Sequence, residues 1–408
     1  MKIVYIFLIS ILLFSCNSSN NEDRNYEPTK KVIQLPENAI PFSFQKAIFM
    51  NVKVNDSVNG NFIFDTGSDQ LYLDSLFVAK NNIPIQNTKR KKIRGVGGKT
   101  PLVPVADSVK LEIDSLLMFY NNVPIVNIRD MGWMDVDGVF GTDFFNKYVL
   151  RINFDSSYFQ IIKPSKFIVP NGYDTLKLFL TENKTIIKCE ALIIDSLDVE
   201  GWAILDLGSA HSLTFTSVIS DEYDFNNKIK NKYAFAHKNA GYGGDSHSYY
   251  FRAEKLKIGK YTLNSPVMNY STDKKGALSM WGILGLLGTK VMKRFDLVFD
   301  FPNKKLYLKP NSLFDEHFFS NTTGFTGKIN QTDSLTGFII EDVIENSVAQ
   351  HAGIKKGDTI THLNGLKISS YSISERESLF RQDTLELQLK IKRSTELIEI
   401  KILPREIL

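Results

Sequence analysis

Cysteine is nearly missing from this 408-residue chain: only Cys16 and Cys189 occur. With Cys16 set aside in an N-terminal leader, no intrachain disulfide can form and no cysteine-based metal cluster can be built. Histidine is scarce as well. His211, His237, His247, His317, His351 and His362 are the full set, and none is spaced as metal ligands on one helix face. The sequence therefore predicts no catalytic metal and no other cofactor. An excess of one charge is also lacking. The 49 Lys and Arg residues stand against 45 Asp and Glu, leaving a formal charge of +4. That balance lacks the concentrated basic face that nucleic acid would require. The basic run at residues 89–92 (KRKK) is short and reads as the solvated surface of a hairpin.

Long apolar runs are confined to one place. Lys2 precedes residues 3–14 (IVYIFLISILLF), a stretch too short for a comfortable membrane span of ~20 residues. It ends in Leu13-Phe14-Ser15-Cys16, which resembles the bacterial lipobox. The resemblance implies that residues 1–15 are a lipoprotein signal peptide and that Cys16 is lipidated. The protein is then expected at the bacterial cell envelope, periplasmic or on the surface, held to a membrane through its acyl chains. Residues 16–39 read as a flexible tether, polar and with little to bury.

The remainder is rich in what a core needs: 43% hydrophobic residues, with 29 Phe and 16 Tyr. Short β-rich runs alternate with Gly, Asn, Asp and Pro, and no long amphipathic helix is evident. Residues 48–54 (IFMNVKV) and 61–65 (NFIFD), with Asn55-Asp56 and Asn59-Gly60 between them, predict a hairpin. The pattern then repeats. Residues 62–73 (FIFDTGSDQLYL) have a partner at 203–215 (AILDLGSAHSLTF). The glycine segment Gly95-Val96-Gly97-Gly98 matches Gly241-Tyr242-Gly243-Gly244. Val139-Phe140-Gly141 is aligned with Ile283-Leu284-Gly285, and each is followed by a hairpin ending in Lys-Pro. Asp65 lies 76 residues before Gly141, and Asp206 lies 79 before Gly285. Three landmarks in the same order point to a duplicated unit, at 40–164 and 173–310. Asp137 and Asp296, near the landmark glycines, read as surface or turn residues.

Asp65-Thr66-Gly67-Ser68 after an apolar strand, repeated as Asp206-Leu207-Gly208-Ser209, resembles the active-site motif of aspartic peptidases, pepsin-like and retropepsin-like alike. The short units and glycine-rich flaps look more like retropepsins. The chemistry follows from the residues. Two close carboxylates cannot both ionise cheaply, so they share a proton. One can then take a proton from water while its partner donates one to a scissile carbonyl. Gly67 and Gly208 fit turns whose N–H groups reach the carboxylates, and Ser68 and Ser209 can add hydroxyl bonds. The resemblance implies a polypeptide substrate, flaps at Gly95–Gly98 and Gly241–Gly244, and Asp65 and Asp206 as the catalytic pair. Two ordinary glycine turns are the other reading of the flap segments. One position departs from the family. The residue after each catalytic Asp is usually Thr or Ser, whose hydroxyl bonds across to the other lobe. Thr66 fits, but Leu207 has no donor or acceptor in its side chain. Either the second lobe has repacked while Asp206 still catalyses, or the site is weakened or dead and the protein is a lipid-anchored peptide-binding scaffold. Carbohydrate hydrolysis by paired carboxylates is a more remote alternative.

A third unit is expected at 318–408. Residues 337–365 (GFIIEDVIENSVAQHAGIKKGDTITHLNG) resemble the bacterial PDZ pattern. Ser347, Ala349, Ala352, Gly353, Ile354, Gly357, Asp358, Ile360, Asn364 and Gly365 carry the match, in turns and core rather than catalysis. The resemblance implies a peptide or protein ligand added as a strand near 322–329, with 372–380 as a helical wall; a purely structural cap is the alternative. The fold class expected is thus mainly β: duplicated acid-protease β-lobes forming a bilobal peptidase body, plus a small α+β PDZ-like domain.

Overall fold

In a computed structural model the described residues are 35–408, apart from 94, 96–97, 115, 132, 134, 144, 182–183, 238–244 and 333–334. The first hairpin forms because Ile48–Val54 alternates buried with more exposed side chains and Val58–Phe64 buries its apolar end, Phe62 to Phe64, with Asn55 (φ 48°) and Asp56 (φ 66°) supplying the left-handed turn. Asn59-Gly60, expected to be part of the turn, lies inside the second strand. Gly60 is there for space: a Cβ would meet the Phe62 ring at 2.5 Å.

Two ten-stranded sheets carry the same strand order. In the first, the path is Ile85–Lys92, Leu102–Ala106, Val123–Val126, Tyr72–Asp74, Gly138–Phe140, Val58–Phe64, Ile48–Val54, Val109–Ile113 and Leu116–Tyr120. In the second it is Lys232–His237, Ser246–Arg252, Val267–Ser271, Leu213–Phe215, Gly285–Leu287, Leu197–Leu205, Lys184–Ile194, Lys255–Ile258 and Tyr261–Asn264. A side strand, Ser43–Phe44 or Phe179–Thr181, completes each. The duplication read in the sequence is therefore present in the topology, but its register differs from the expected one. Phe140 pairs with Phe64, the residue before Asp65, whereas the residue opposite Leu205, before Asp206, is Leu287. The true counterpart of Val139-Phe140-Gly141 is Leu286-Leu287-Gly288, one turn beyond Ile283-Leu284-Gly285. The signal missed was the following threonine, Thr142 in one copy and Thr289 in the other.

The two Lys-Pro hairpins meet in a six-stranded sheet, where Val149–Asn153 pairs antiparallel with Phe295–Asp300. Behind the first active loop, Phe62, Phe64, Phe140, Phe145 and Phe159 are wholly buried, and the Phe64 ring meets Phe145 and Phe159 edge-on. Each contributes about 1.5–3 kcal/mol by leaving water. Asp296 is not a surface or turn residue. It sits within strand Phe295–Asp300, 7% exposed, and accepts bonds from Arg151, Tyr173 and Asn153. Asp137 braces a turn instead, receiving the Asn61 N–H and the Arg129 guanidinium.

A separate sheet holds Phe325–Thr332, Leu335–Val343, Thr359–Leu363, Leu387–Arg393 and Glu396–Ile402 in that order, with helix Ile373–Arg381 and its own apolar core. The pattern residues act as the sequence suggests. Ser347 caps helix Val348–His351, and Gly353, Gly357 and Gly365 take φ of 79–90°. Ala349, Ile354 and Ile360 are buried, and Asp358 is gripped by Arg393. The fold is mainly β with this smaller α+β region.

Candidate active site

Strands Val58–Phe64 and Leu197–Leu205 each run into a tight loop that opens on an aspartate. Each loop is held from behind by the parallel strand beside it: the Asp65 N–H donates to Phe140 O (3.0 Å) and the Asp206 N–H to Leu287 O (2.9 Å). The glycines Gly141 and Gly288 permit close packing there, since a Cβ would fall 2.1 Å from Ser68 O or 2.6 Å from Ser209 O.

The two carboxylates come together. The Gly208 N–H donates to Asp206 Oδ1 (3.0 Å) and to Asp65 Oδ1 (3.1 Å), so one donor touches both groups. Gly67 N–H donates to Asp65 Oδ1 at 2.7 Å. Neither glycine has a positive φ; their role is room for the opposite carboxylate. A Cβ on Gly67 would sit 2.7 Å from Asp206 Cγ, and one on Gly208 would sit 2.5 Å from Asp65 Cγ. Removal from water raises Asp65 above the ordinary carboxylate range, while the Gly67, Gly208 and Ser68 N–H groups and the bond with Asp206 pull it back. Asp206 is raised well above that range, by burial first and then by the negative charge of Asp65.

Thr66 is fully buried and bridges the two loops: its hydroxyl donates to Leu205 O (2.8 Å) and accepts the Leu207 N–H (3.0 Å). Leu207 is fully buried too, and its side chain joins the main apolar core rather than lying between the carboxylates. The brace is thus one-sided, with backbone groups of the Leu207 loop meeting the Thr66 hydroxyl. Ser68 departs from expectation. Its hydroxyl donates to Gln70 O (2.9 Å) and steadies the turn, while its main-chain N–H serves the carboxylate. Ser209 contributes its N–H to Asp206, and its carbonyl receives both the N–H and the hydroxyl of Thr289.

Of the flap residues, Gly95 and Gly98 are described; Val96, Gly97, Gly241, Tyr242, Gly243 and Gly244 lie outside the described residues. Gly95 O accepts the Ala277 N–H at 3.1 Å, and a Cβ on Gly98 would fall 2.8 Å from Lys275 Cβ. Gly95 and Gly98 therefore rest on residues 275–277 of the second repeat. The mostly exposed basic strand Ile85–Lys92 leads into it, and Lys91 donates to the Gln70 side chain. Gln70 donates in turn to the Tyr72 hydroxyl (3.0 Å), which donates to Asp69 (3.2 Å). Sequence reading missed this link from flap to active loop, because Gln70 and Lys91 carry no motif. Among the described residues, no group of three or more His, Cys, Asp or Glu side chains is gathered as metal ligands would be.

A family model described as aspartyl protease matches residues 50–144, and one described as PDZ domain matches residues 320–392. Among solved structures, an aspartic proteinase from Irpex lacteus is similar at 14% identity over 69% of this chain and 98% of that one, with a TM-score of 0.44. A PDZ domain protein from Parabacteroides distasonis is similar at 26% identity over 22% of this chain and 20% of that one, with a TM-score of 0.20. No curated protein matches the chain. On the two family models, the chain carries an aspartyl-protease-like domain followed by a PDZ-like domain.

Proposed function

We propose that the protein is an aspartic-type endopeptidase that hydrolyses envelope or exported polypeptides, with the two repeats forming a bilobal, retropepsin-like body at residues 40–164 and 173–310. One observation carries the reading: two carboxylates from separate repeats share one N–H donor, and each has a glycine opposite it where any side chain would collide. Such a pair titrates as a unit and keeps one proton beyond the pH at which a lone carboxylate would lose it. A water between them gives a proton to the ionised member as it attacks the scissile carbonyl. The protonated member donates to the carbonyl oxygen, and the proton then passes to the leaving amine. No cofactor enters. The PDZ-like domain at 318–408 binds a peptide or protein ligand, and Cys16 holds the protein to an envelope membrane.

Peptide-library cleavage by the chain from Asn17 onward, scanned from acid to neutral pH, tests this. Asp65→Asn and Asp206→Asn are each expected to remove cleavage by at least about a thousandfold. The active range should reach toward neutral pH, because Asp206 is raised well above the ordinary range. Cleavage surviving both substitutions would overturn the assignment. No cleavage at any pH by the folded parent protein, with peptide still bound, would favour the lipid-anchored scaffold.

A further inference from the structure

Among the described residues, strand Phe325–Thr332 opens its sheet order and pairs on one side, with Leu335–Val343. Its other edge offers main-chain groups to an added strand. Helix Ile373–Arg381 lies alongside, and the two elements converge at one end. There the Phe380 ring meets Phe325 at 5.5 Å and Phe338 at 5.7 Å, and the Thr322 hydroxyl donates to Phe380 O. Ile329 and Leu379 are half-buried beside this core and leave apolar surface for a ligand side chain.

The converging end is already filled by the chain itself. Asn321 turns its carboxamide onto the strand edge: Oδ1 accepts the Gly324 N–H (2.7 Å), and Nδ2 donates to Phe325 O (3.0 Å). The Thr323 hydroxyl donates to the same Phe325 oxygen at 3.3 Å. A carboxamide pairs an acceptor with a donor as a peptide group does, so Asn321 occupies the first peptide position of an added strand. The loop is fixed from behind. Thr322 O and Asn321 O accept the N–H groups of Arg405 (2.8 Å) and Ile407 (3.1 Å), and Gly324 O accepts the Ile344 N–H (2.8 Å). Gly324 packs closely on Ser347, where a Cβ would fall 2.3 Å from Ser347 Oγ. A chain terminus docking at this end needs free N–H groups for its carboxylate, and the Gly324 donor is spent.

We propose that this groove takes an internal, extended segment of polypeptide rather than a C-terminal carboxylate, and that Asn321 is the residue setting that preference. The inference rests on the reading of the PDZ-like domain as a peptide binder and narrows its ligand to unfolded or looped chain. A peptidase with such a groove would select substrates by exposed internal stretches, not by their ends.

The test uses the chain carrying Asp206→Asn, so that probes are not cut. The probes are fluorescein-labelled randomised dodecapeptides in two pools, one with free C-termini and one amidated. Fluorescence anisotropy reads affinity, and hydrogen exchange of the 325–332 amides confirms where the probe sits. The expected result is equal affinity for both pools, within about threefold, with slowed exchange along that strand. Asn321→Ala, which frees the Gly324 N–H, should shift preference to free C-termini by roughly tenfold. Asn321→Asp, which keeps an acceptor on Gly324, should show no such shift, so a loop merely loosened by the alanine is told apart. Free C-termini bound tenfold or more tighter by the unsubstituted Asn321 protein would overturn the inference while leaving peptide binding intact. Neither pool slowing exchange at 325–332 would overturn the peptide-binding reading itself.

Discussion

Thr66 and Leu207 hold matching places after the two aspartates and do unlike work. The Thr66 hydroxyl satisfies Leu205 O and the Leu207 N–H, while the Leu207 side chain fills core volume. Replacing Thr66 by Val keeps the shape but leaves two buried main-chain groups without that partner. We expect a loss of about 1–3 kcal/mol in urea unfolding, with cleavage reduced because the loops lose their brace. Leu207→Thr, though it restores the residue type usual in such motifs, should also destabilise, on the order of 2 kcal/mol, by removing apolar volume and burying a hydroxyl. Stability gained by Leu207→Thr would refute the repacked reading. The carboxylates add a pH dependence. Their folded-state values are raised, so the folded protein retains a proton that the unfolded chain gives up above about pH 4. Stability from the pair is therefore complete below that pH and declines as pH rises through the folded values. Asp206→Asn removes the penalty, so the melting temperature of the variant minus that of the parent should grow from pH 4 to pH 7; a flat or shrinking difference would contradict it. Both aspartates were legible because each motif is local. Asp296 was not: its partners Arg151, Tyr173 and Asn153 lie 123–145 residues away, and only the paired hairpins bring them to it.

At the scale of elements, local rules served best where one residue fixes one turn. Gly353, Gly357 and Gly365 each sit at a positive φ, as their spacing implied. They failed where a short strand could align two ways. Gly285–Leu287 is three residues long and begins and ends next to glycine, so its register was decided by the Leu287–Leu205 pairing rather than by pattern. The glycine segment before Lys99 shows a further limit. Gly98 has no positive φ, and its need for glycine comes from Lys275 of the second repeat. Gly98→Ala should push the segment off residues 275–277 and weaken the bond between Ala277 N–H and Gly95 O. Amide exchange at Ala277 is expected to quicken roughly five- to tenfold, about the net worth of one hydrogen bond. Adding Lys275→Gly should restore protection by clearing the collision. Unchanged exchange in Gly98→Ala would show that the contact does not hold the segment.

Across the whole molecule, Arg252 is where the PDZ-like domain is tied back to the second repeat. It ends strand Ser246–Arg252, one of the two strands flanking residues 238–245. Its guanidinium donates to both Glu406 oxygens (3.2 and 3.3 Å), to Leu408 O (3.0 Å), to Phe318 O (2.9 Å) and to Ser265 O (2.8 Å). Glu406 also accepts the Ser320 N–H at 2.7 Å. No sequence pattern announces this clamp, because its halves are 154 residues apart and neither belongs to a motif. Its geometry is nevertheless specific, with one planar cation reading five acceptors from three segments. Arg252→Ala removes the guanidinium from Glu406 and from three carbonyls, each charge-assisted bond being worth about 1.5–3 kcal/mol. The dyad is untouched, so cleavage of short peptides should persist within about twofold. The junction at residues 311–324, which carries Leu313, Phe314, Phe318 and Phe319, should instead become susceptible to chymotrypsin, and calorimetry should resolve two unfolding transitions where the parent protein shows one. A single transition with unaltered chymotrypsin resistance would mean that salt bridge Lys46–Glu377 and the bond from Lys290 to Phe319 O suffice to hold the two parts together, and that Arg252 is not the tie.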